Sequence, residues 1–554
     1  MGRSCGEPEG GQPRPAPGFT AWRQWLRSPA LIVAAVAFAA HATTLGFGLV
    51  WDDPLLLDLV TSSYRTKGLT GLLSAEFQLV SGESLGYYRP LVLLSLWLDS
   101  LVAPHFAAIY HLTNVLAHAA TSALVYGLFA LRLGRGAPAL LAALLFALHP
   151  VHVESVAFVS ARTDLLAGMF VAVSAIAWQR NRPASPRRGQ LALGIAAFGA
   201  ALLAKEVAFA LPGILLAWDW LDTRRGDGPI APWWERNRAW IAGWGLAAGA
   251  ALALRWGWAG IALTETRRGG LAELPGIWAT YLRLLVLPWP LKPYYLADQV
   301  APDLAAAAAA ILLALGVLAA GARRGLAALA CAVAFLAPVS AGLRLSEAVL
   351  SERYLYLPSL GLCLLVGEVL SRAQKGPALR RWSRVAAAGA LALAALATVL
   401  QSRIWRDDKT LMGELVRTAP GSFVAHNNLA VALLRQGRFN EAVPHLQEVL
   451  RLNPNHARAR FNLGVASLQR GDLRGAVAYF EEGLRRQPND AAARNFLGRT
   501  LLTLGRTREA AREFAEAVRL RPDFDEARQN LQRANVILER TRPSAPAAPP
   551  SPGP

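Results

Sequence analysis

The amino-acid sequence predicts an all-α protein in two parts. A multi-pass membrane helical domain covers residues 29–403, and a solenoid of paired helices follows over 404–540. Three observations carry this. The 554 residues are 54% hydrophobic and only 17% charged, where a soluble domain carries about 25% charged residues. The apolar residues come in blocks near the length of a membrane crossing, as in Leu304–Ala320, Val385–Leu400 and Ala239–Leu254. Past Trp405 the chain repeats itself every 34 residues. A soluble monomer is excluded.

Residues 1–28 are basic and rich in Pro and Gly, so a disordered tail is expected. The first apolar block, Leu31–Val50, follows Arg23 and Arg27. Ala37-Phe38-Ala39 and Ala40-His41-Ala42 resemble signal-peptide cleavage sites, but the block runs on to Trp51, which favours an uncleaved anchor. Either way the chain emerges on the outer side. Basic clusters stand at Arg132/Arg135, Arg180–Arg188, Arg224–Arg238, Arg323/Arg324 and Arg372–Arg384. The positive-inside rule turns these five loops to the cytoplasm.

That scheme gives about 11 crossings, near 30–50, 108–131, 137–150, 160–178, 190–205, 206–221, 239–258, 303–321, 325–341, 354–371 and 385–402. Two apolar segments are laid on the outer interface instead. Arg89–Val102 is short, amphipathic and bounded by Pro90 and Pro104. Leu271–Leu287 runs into the proline-rich stretch Pro288–Pro293. Counting either as a span would invert every later loop. The odd number of crossings exports the C-terminal part.

In that part Pro420, Pro454, Pro488 and Pro522 are spaced by 34, as are Gly437, Gly471 and Gly505. Between them recur Leu429/Leu463/Leu497, Ala442/Ala476/Ala510 and Leu446/Phe480/Phe514. This period, with Gly at the turn between helices and Pro closing the unit, is the tetratricopeptide (TPR) signature. Small Ala residues let paired helices approach, and the large apolar residues fill the seam. The repeats fall at about 421–454, 455–488 and 489–522, with a capping helix over 523–539, enough units for a stacked solenoid. A Pro-rich disordered tail is expected over 541–554.

The formal charge of +19 suggests nucleic acid, but much of it lies in Arg clusters between apolar blocks, and no nucleic-acid module accompanies it. No nucleic-acid partner is expected; the lipid bilayer is one. Cys5, Cys331 and Cys363 are scattered and offer neither a disulfide framework nor a metal spacing.

Charges beside membrane spans are expensive to keep, and here they gather on one side. On the predicted topology the outer ends of the helices carry Trp51-Asp52-Asp53-Pro54, Tyr87-Tyr88-Arg89-Pro90, His111 and Asn114. They also carry His149-Pro150-Val151-His152-Val153-Glu154-Ser155 with Arg162 and Asp164, then Lys205-Glu206, Lys292 with Tyr294-Tyr295, and Ser351-Glu352-Arg353-Tyr354. Adjacent carboxylates at a membrane surface can deprotonate a hydroxyl or hold a metal. Several Arg and Lys at one depth suit the phosphate of a lipid. The combination reads as group transfer from a lipid-phosphate donor. Blander readings stand beside it: Asp52-Asp53-Pro54 as a helix cap, His149 and His152 as helix-end packing or a metal pair, Arg162/Asp164 and Lys205/Glu206 as structural ion pairs.

The string Phe146–Val156 continuing to Arg162–Leu166, with Tyr88-Arg89-Pro90-Leu91, Lys205-Glu206 and Glu352–Pro358, resembles the transmembrane-and-TPR (TMTC-type) proteins and their bacterial relatives. The resemblance covers roughly residues 30–540 and implies a GT-C class fold. It implies an enzyme that passes mannose from a polyprenyl- or dolichyl-phosphate donor to Ser or Thr hydroxyls of proteins, with inversion. By that analogy Asp52, or failing it Asp53, is the general base, and Arg89, Arg162, Lys205 and Arg353 hold the leaving phosphate. Glu154 orients one of those cations, and His149, His152, Asp164, Glu206 and Glu352 support the site. The repeat array is short for the family, so acceptor choice can differ, and the sugar itself is read only from the resemblance.

Asn428, Asn462 and Asn495 lie on the first helices of the repeats, where an acceptor protein or peptide would be bound; helix-surface packing is the competing reading. No cofactor is required on this view, although a divalent metal is compatible with the Asp and His residues. Two other functions stay open: a ligase or polymerase moving a whole glycan from lipid pyrophosphate, and a non-catalytic scaffold anchoring the repeats. The Ala-, Leu- and Arg-rich composition points to a bacterial inner membrane with the solenoid in the periplasm.

Overall fold

The computed structural model describes residues 28–75, 77–78, 84–181, 187–223, 230–259, 274–293, 295–296, 299–300, 302–340 and 348–541. The two expected tails, Tyr294 and Cys5 lie outside them. Two compact units divide the chain: residues up to Leu291 with Ala297–Arg406, and Asp407 onward with Lys292–Leu296.

The first unit is helical almost throughout. Its helices are α1 (Pro29–His41), α2 (Asp53–Ser74), α3 (Pro90–Val102), α4 (Ala107–Leu133), α5 (Ala137–Leu148), α6 (Val153–Ala157), α7 (Arg162–Arg180), α8 (Arg188–Ala204), α9 (Leu211–Thr223) and α10 (Ile230–Ala253). They continue with α11 (Leu274–Val286), α12 (Leu304–Ala320), α13 (Ala322–Ser340), α14 (Ser359–Ala373) and α15 (Pro377–Ser402). A two-residue ladder, Phe77–Gln78 against Ser84–Tyr87, interrupts them before α3.

Each predicted crossing and both predicted interfacial segments coincide with a helix. Among the described residues Pro29–Gly46, Ala107–Leu133, Val159–Arg180 and Pro377–Trp405 are each long and apolar enough to span a bilayer alone. A fifth candidate is bent: α5 and the Pro150–Ala157 segment meet at 45°. Pro150 causes the break, because it lacks the N–H that would continue the helix of α5. The first crossing is also shorter than predicted, since α1 ends at His41, passes into a 3-10 turn (Ala42–Gly46) and is extended at Phe47.

Helix α4 is the centre of this unit and packs on α1, α5 and α7, burying Val115, Val125, Phe129, Phe146, Val156 and Leu165. Helices α13 and α14 touch backbone to backbone at Gly361, where a Cβ would stand 2.5 Å from the Ala328 carbonyl oxygen and the Ala332 nitrogen. Small residues at such crossings are how membrane helices gain van der Waals contact without a hydrophobic driving force. Helix α15 is the opposite case, with Val385, Leu393 and Leu396 exposed. In water that stripe would aggregate; in a bilayer it is an ordinary lipid face. The protein is an integral membrane protein.

In the second unit the predicted repeats are helix pairs: α17 (Phe423–Arg435) with α18 (Phe439–Leu452), α19 (Ala457–Gln469) with α20 (Leu473–Arg486), and α21 (Ala491–Thr503) with α22 (Thr507–Leu520). Helix α23 (Asp525–Arg540) caps the stack, and α16 (Asp408–Thr418) packs ahead of it on α17. The recurring Leu, Ala and Leu/Phe positions are all buried. Gly437, Gly471 and Gly505 turn between paired helices at φ of 73°, 81° and 76°, a region other residues enter at a cost. Ser422, Asp472 and Asp490 cap their helices by accepting from the backbone N–H three residues on.

Candidate functional site

The acidic pair sits where the chain leaves the first span, and its two members have different environments. Trp51, immediately before it, has a φ of 56°, the only positive φ at a non-glycine residue among the described ones. Such strain persists only where the surroundings impose it, and it clusters at functional sites. Trp51 stacks on Phe158, with ring centres 6.0 Å apart. Asp52 follows as the residue ahead of α2 and is part-exposed.

Asp53 is fully buried. Its Oδ2 accepts from the N–H of Val50 at 3.1 Å and of Val159 at 3.4 Å; its Oδ1 accepts from the N–H and the hydroxyl of Ser160, both at 2.7 Å. Burial raises the Asp53 carboxyl from 3.8 to about 7 against the pull of these donors. Asp53 thus accepts one bond from Val50 within the loop and three that tie it to Val159 and Ser160. Asp52 is the more exposed member of the pair.

The same segment leads to the cations. The Arg353 guanidinium lies 5.8 Å from the Phe158 ring centre and 5.4 Å from that of Tyr354. Glu154 holds it: one carboxylate oxygen is 3.1 Å from Arg353 Nη1, and the other accepts from the Arg353 N–H at 2.9 Å. Lys205 pairs with Asp164, and its ammonium lies 4.8 Å from the Tyr354 ring centre. Arg89 pairs with Glu206 at 3.1 Å and covers the Tyr87 ring at 4.2 Å. Arg255 also approaches Glu206, at 3.9 Å, so this one carboxylate faces two guanidinium groups.

These side chains come together because each stands at a helix end. Glu154, Asp164 and Glu206 occupy first turns, where a carboxylate is favoured by the N-terminal dipole. Arg89 precedes α3, Lys205 ends α8 in an extended conformation, and Arg353 lies in the 3-10 turn Glu352–Leu355, in which Glu352 is buried. Burial alone would lower the pKa of Arg89 and of Arg353, but Glu206 and Glu154 raise both above the usual guanidinium value. Burial, with Tyr354 nearby, pushes the Tyr87 phenol up to about 12. Arg89 and Arg353 keep their charge and the Tyr87 phenol its proton throughout the working pH range.

Arg162 departs from the expected role. It is completely buried, and protein groups take its donors: Asn114 Oδ1 at 2.7 Å, Ser95 Oγ at 3.2 Å, the Tyr110 carbonyl at 2.9 Å and Asp99 at 2.7 Å. It clamps α3, α4 and α7 together and has no face to offer a phosphate.

His149 and His152 depart too. His149 Nε2 donates to the Leu285 carbonyl at 3.0 Å, and His152 Nε2 donates to Ser359 Oγ at 2.9 Å, which itself donates to the Tyr356 carbonyl. The buried His152 ring packs among Phe146, His118 and Tyr356, and the His149 ring lies 5.8 Å from it. Among the described residues no group of three or more His, Cys, Asp or Glu is placed to hold a metal.

In the repeats, Asn428 and Asn462 occupy the same register and are part-exposed. Asn495 is one position out of that row, a rotation of about 100° around the helix, and is buried, accepting from Asn530 at 2.9 Å. Phe496 holds the register position of the other two. Three site contributors were not singled out from sequence. Arg255 carried a usable signal, a charge within an apolar span. Phe158 and Trp405 carried none, because nothing in sequence links residues some 250 apart.

Two family models, each described as tetratricopeptide repeat, match residues 427–491 and 467–534. Among curated proteins the chain is similar to Protein O-mannosyl-transferase Tmtc1 of Drosophila melanogaster, 33% identical over 178 residues, 32% of this chain and 21% of that protein. It is also similar to Protein O-mannosyl-transferase TMTC4 of Homo sapiens, 30% identical over 212 residues, 34% of this chain and 29% of that one. The matches therefore span well under half the length of these relatives. Among solved structures, ArnT from Cupriavidus metallidurans bound to undecaprenyl phosphate superposes with a TM-score of 0.41 at 15% identity, covering 85% of this chain and 81% of that one. MamA from Desulfovibrio magneticus RS-1 aligns at 24% identity and a TM-score of 0.23, over 24% of this chain and 74% of that one.

Proposed function

We propose that the protein is an inverting membrane glycosyltransferase that moves one sugar, mannose in the first instance, from a polyprenyl phosphate to a Ser or Thr hydroxyl of a protein. One observation carries the reading: a part-exposed carboxylate, Asp52, on a strained loop stapled through Phe158 to the Glu154–Arg353 pair, beside Arg89, Arg255 and Lys205. The names of the Drosophila and human relatives support the acceptor and the sugar.

In the reaction Asp52 accepts the proton of the acceptor hydroxyl. The freed oxygen attacks the anomeric carbon from the face opposite the lipid phosphate. A carbon–oxygen bond forms, the bond to the phosphate oxygen breaks, and that oxygen keeps the electron pair, so configuration inverts and polyprenyl phosphate leaves. The charge gained by the leaving phosphate is met by Arg89, Arg255 and Arg353, with Lys205 behind them; preorganised cations that are worth more in the transition state than in the ground state lower the barrier. Glu154, Asp164 and Glu206 hold these cations in place. Glu154, Asp164 and Glu206 are each already paired with a cation, and we propose turnover without a metal.

The chemistry is placed on the outer, periplasmic face of a bacterial inner membrane, opposite the Arg-rich loops, and the repeats are assigned the capture of acceptor proteins, with Asn428 and Asn462 in the groove. The test is direct. The full chain in lipid nanodiscs is given polyprenyl-phosphate mannose and Ser/Thr-rich peptides, and free polyprenyl phosphate and peptide mass are followed for wild type and Asp52→Asn. Hexose addition that the mutant abolishes supports the reading. Release of a lipid pyrophosphate from a glycan donor would replace it with a ligase, and no turnover from any lipid-linked donor would leave a scaffold.

A further inference from the structure

Trp51 reaches beyond Phe158. On its other side Phe158 stacks on Trp405, with centres 5.4 Å apart and planes at 30°. Trp405 is 1% exposed and lies in the 3-10 turn Arg403–Trp405 that ends the last membrane helix. The next residue, Arg406, accepts a hydrogen bond at 3.0 Å from the Gly48 N–H, in the extended strand that leads into Trp51. The Gly48 carbonyl in turn accepts from His111 Nε2 at 3.2 Å. The loop carrying Asp52 is thus fixed at two points by the end of the membrane unit, one residue before the repeat unit begins.

We infer that Trp405 is a positioning residue for Asp52: its indole, through Phe158, holds Trp51 in the left-handed conformation that presents Asp52. The inference rests on Asp52 being the base. The physical argument is that a positive φ at a tryptophan does not persist unaided, and the ring stack on Phe158 clamps this side chain. The Asp53 bonds fix the loop below Asp52, while the stack fixes it above. Phe158 also carries the Arg353 guanidinium on its ring, so one aromatic residue sets the spacing between the proposed base and a proposed phosphate ligand.

The experiment uses the full chain in nanodiscs with polyprenyl-phosphate mannose, comparing wild type, Trp405→Ala, Trp405→Phe and Asp52→Asn. Turnover is measured together with hydrogen exchange of the amides at 47–56, and exchange over α4 and α7 reports whether the membrane unit stays folded. Trp405→Ala is expected to speed exchange at 47–56 by about tenfold and to lower kcat by a similar factor, with donor KM unchanged. Trp405→Phe keeps an aromatic face and is expected to restore both. Unchanged exchange at 47–56 in Trp405→Ala would overturn the inference, and so would faster exchange with normal turnover, or failure of Phe to rescue while α4 and α7 stay protected. Turnover that survives in Asp52→Asn removes the base reading on its own evidence, and the positioning role falls with it.

Discussion

Replacing Asp53 rather than Asp52 should damage the fold before it damages the chemistry. In Asp53→Ala the N–H groups of Val50, Val159 and Ser160 lose their acceptor in a site with no access to water. A buried donor left unmade costs about 1–3 kcal/mol, so the three together cost about 3–9 kcal/mol. A whole domain is stable by only about 5–15 kcal/mol. Asp53→Asn keeps one acceptor for Ser160 but turns an NH2 group toward Val50 and Val159, for about 2–6 kcal/mol. The assay is the half-time of thermal inactivation in nanodiscs, read by intrinsic fluorescence and size exclusion, since membrane proteins seldom unfold reversibly. Both variants should be short-lived, with Ala the worse, whereas Asp52→Asn should match wild type in lifetime while losing turnover. An Asp53→Ala protein of wild-type lifetime that is nevertheless inactive would refute the argument and make Asp53 the base.

Because the folded protein holds the Asp53 proton up to about 7 and the unfolded chain releases it near 3.8, this group favours folding most below about pH 4, and its contribution declines by about 4 kcal/mol as pH rises to about 7. Inactivation half-times at pH 5 and 7.5 should therefore differ more in wild type than in Asp53→Asn. Arg162→Ala should cost about 3–5 kcal/mol, because it strands Asp99 in the interior, and the protein that survives should keep its donor KM; a raised KM with normal stability would return Arg162 to the phosphate site. Arg353→Gln should raise donor KM and lower kcat, and Glu154→Gln should do so less, since Gln still accepts from the Arg353 N–H. Asn428→Ala and Asn462→Ala should raise acceptor KM, while Asn495→Ala should leave it unchanged and cost about 1 kcal/mol of stability.

Much of the architecture was legible in the residues alone. A helix stands at each segment that hydropathy and the Arg clusters marked as a crossing, and a strict 34-residue period located the paired helices of the repeats, because both signals are local and redundant; α2 was not anticipated. Pro150 closes the crossing expected over 137–150, and the helix breaks there, with the Pro150–Ala157 segment turned by 45°. Site residues were legible as a neighbourhood. Arg89, Glu154, Asp164, Lys205, Glu206 and Arg353 do come together, because each lies at a helix end that the topology puts on one side.

The sequence by itself determined the apolar helical unit, the solenoid and the helix ends at which charge collects, since burying apolar surface and breaking helices depend on composition along the chain. Only the tertiary structure decided how far each charged residue is exposed and what holds it. Asp52 and Asp53 are adjacent and chemically identical, yet one is part-exposed and the other saturated by donors from residues 50 and 159–160. Arg162 and Arg353 both follow the same motif logic, yet Arg162 is spent on α3, α4 and α7 while Arg353 faces Phe158 and Tyr354. Hydrogen-bond partners and exposure are set by segments far apart in the chain, and no local pattern encodes the distance between them.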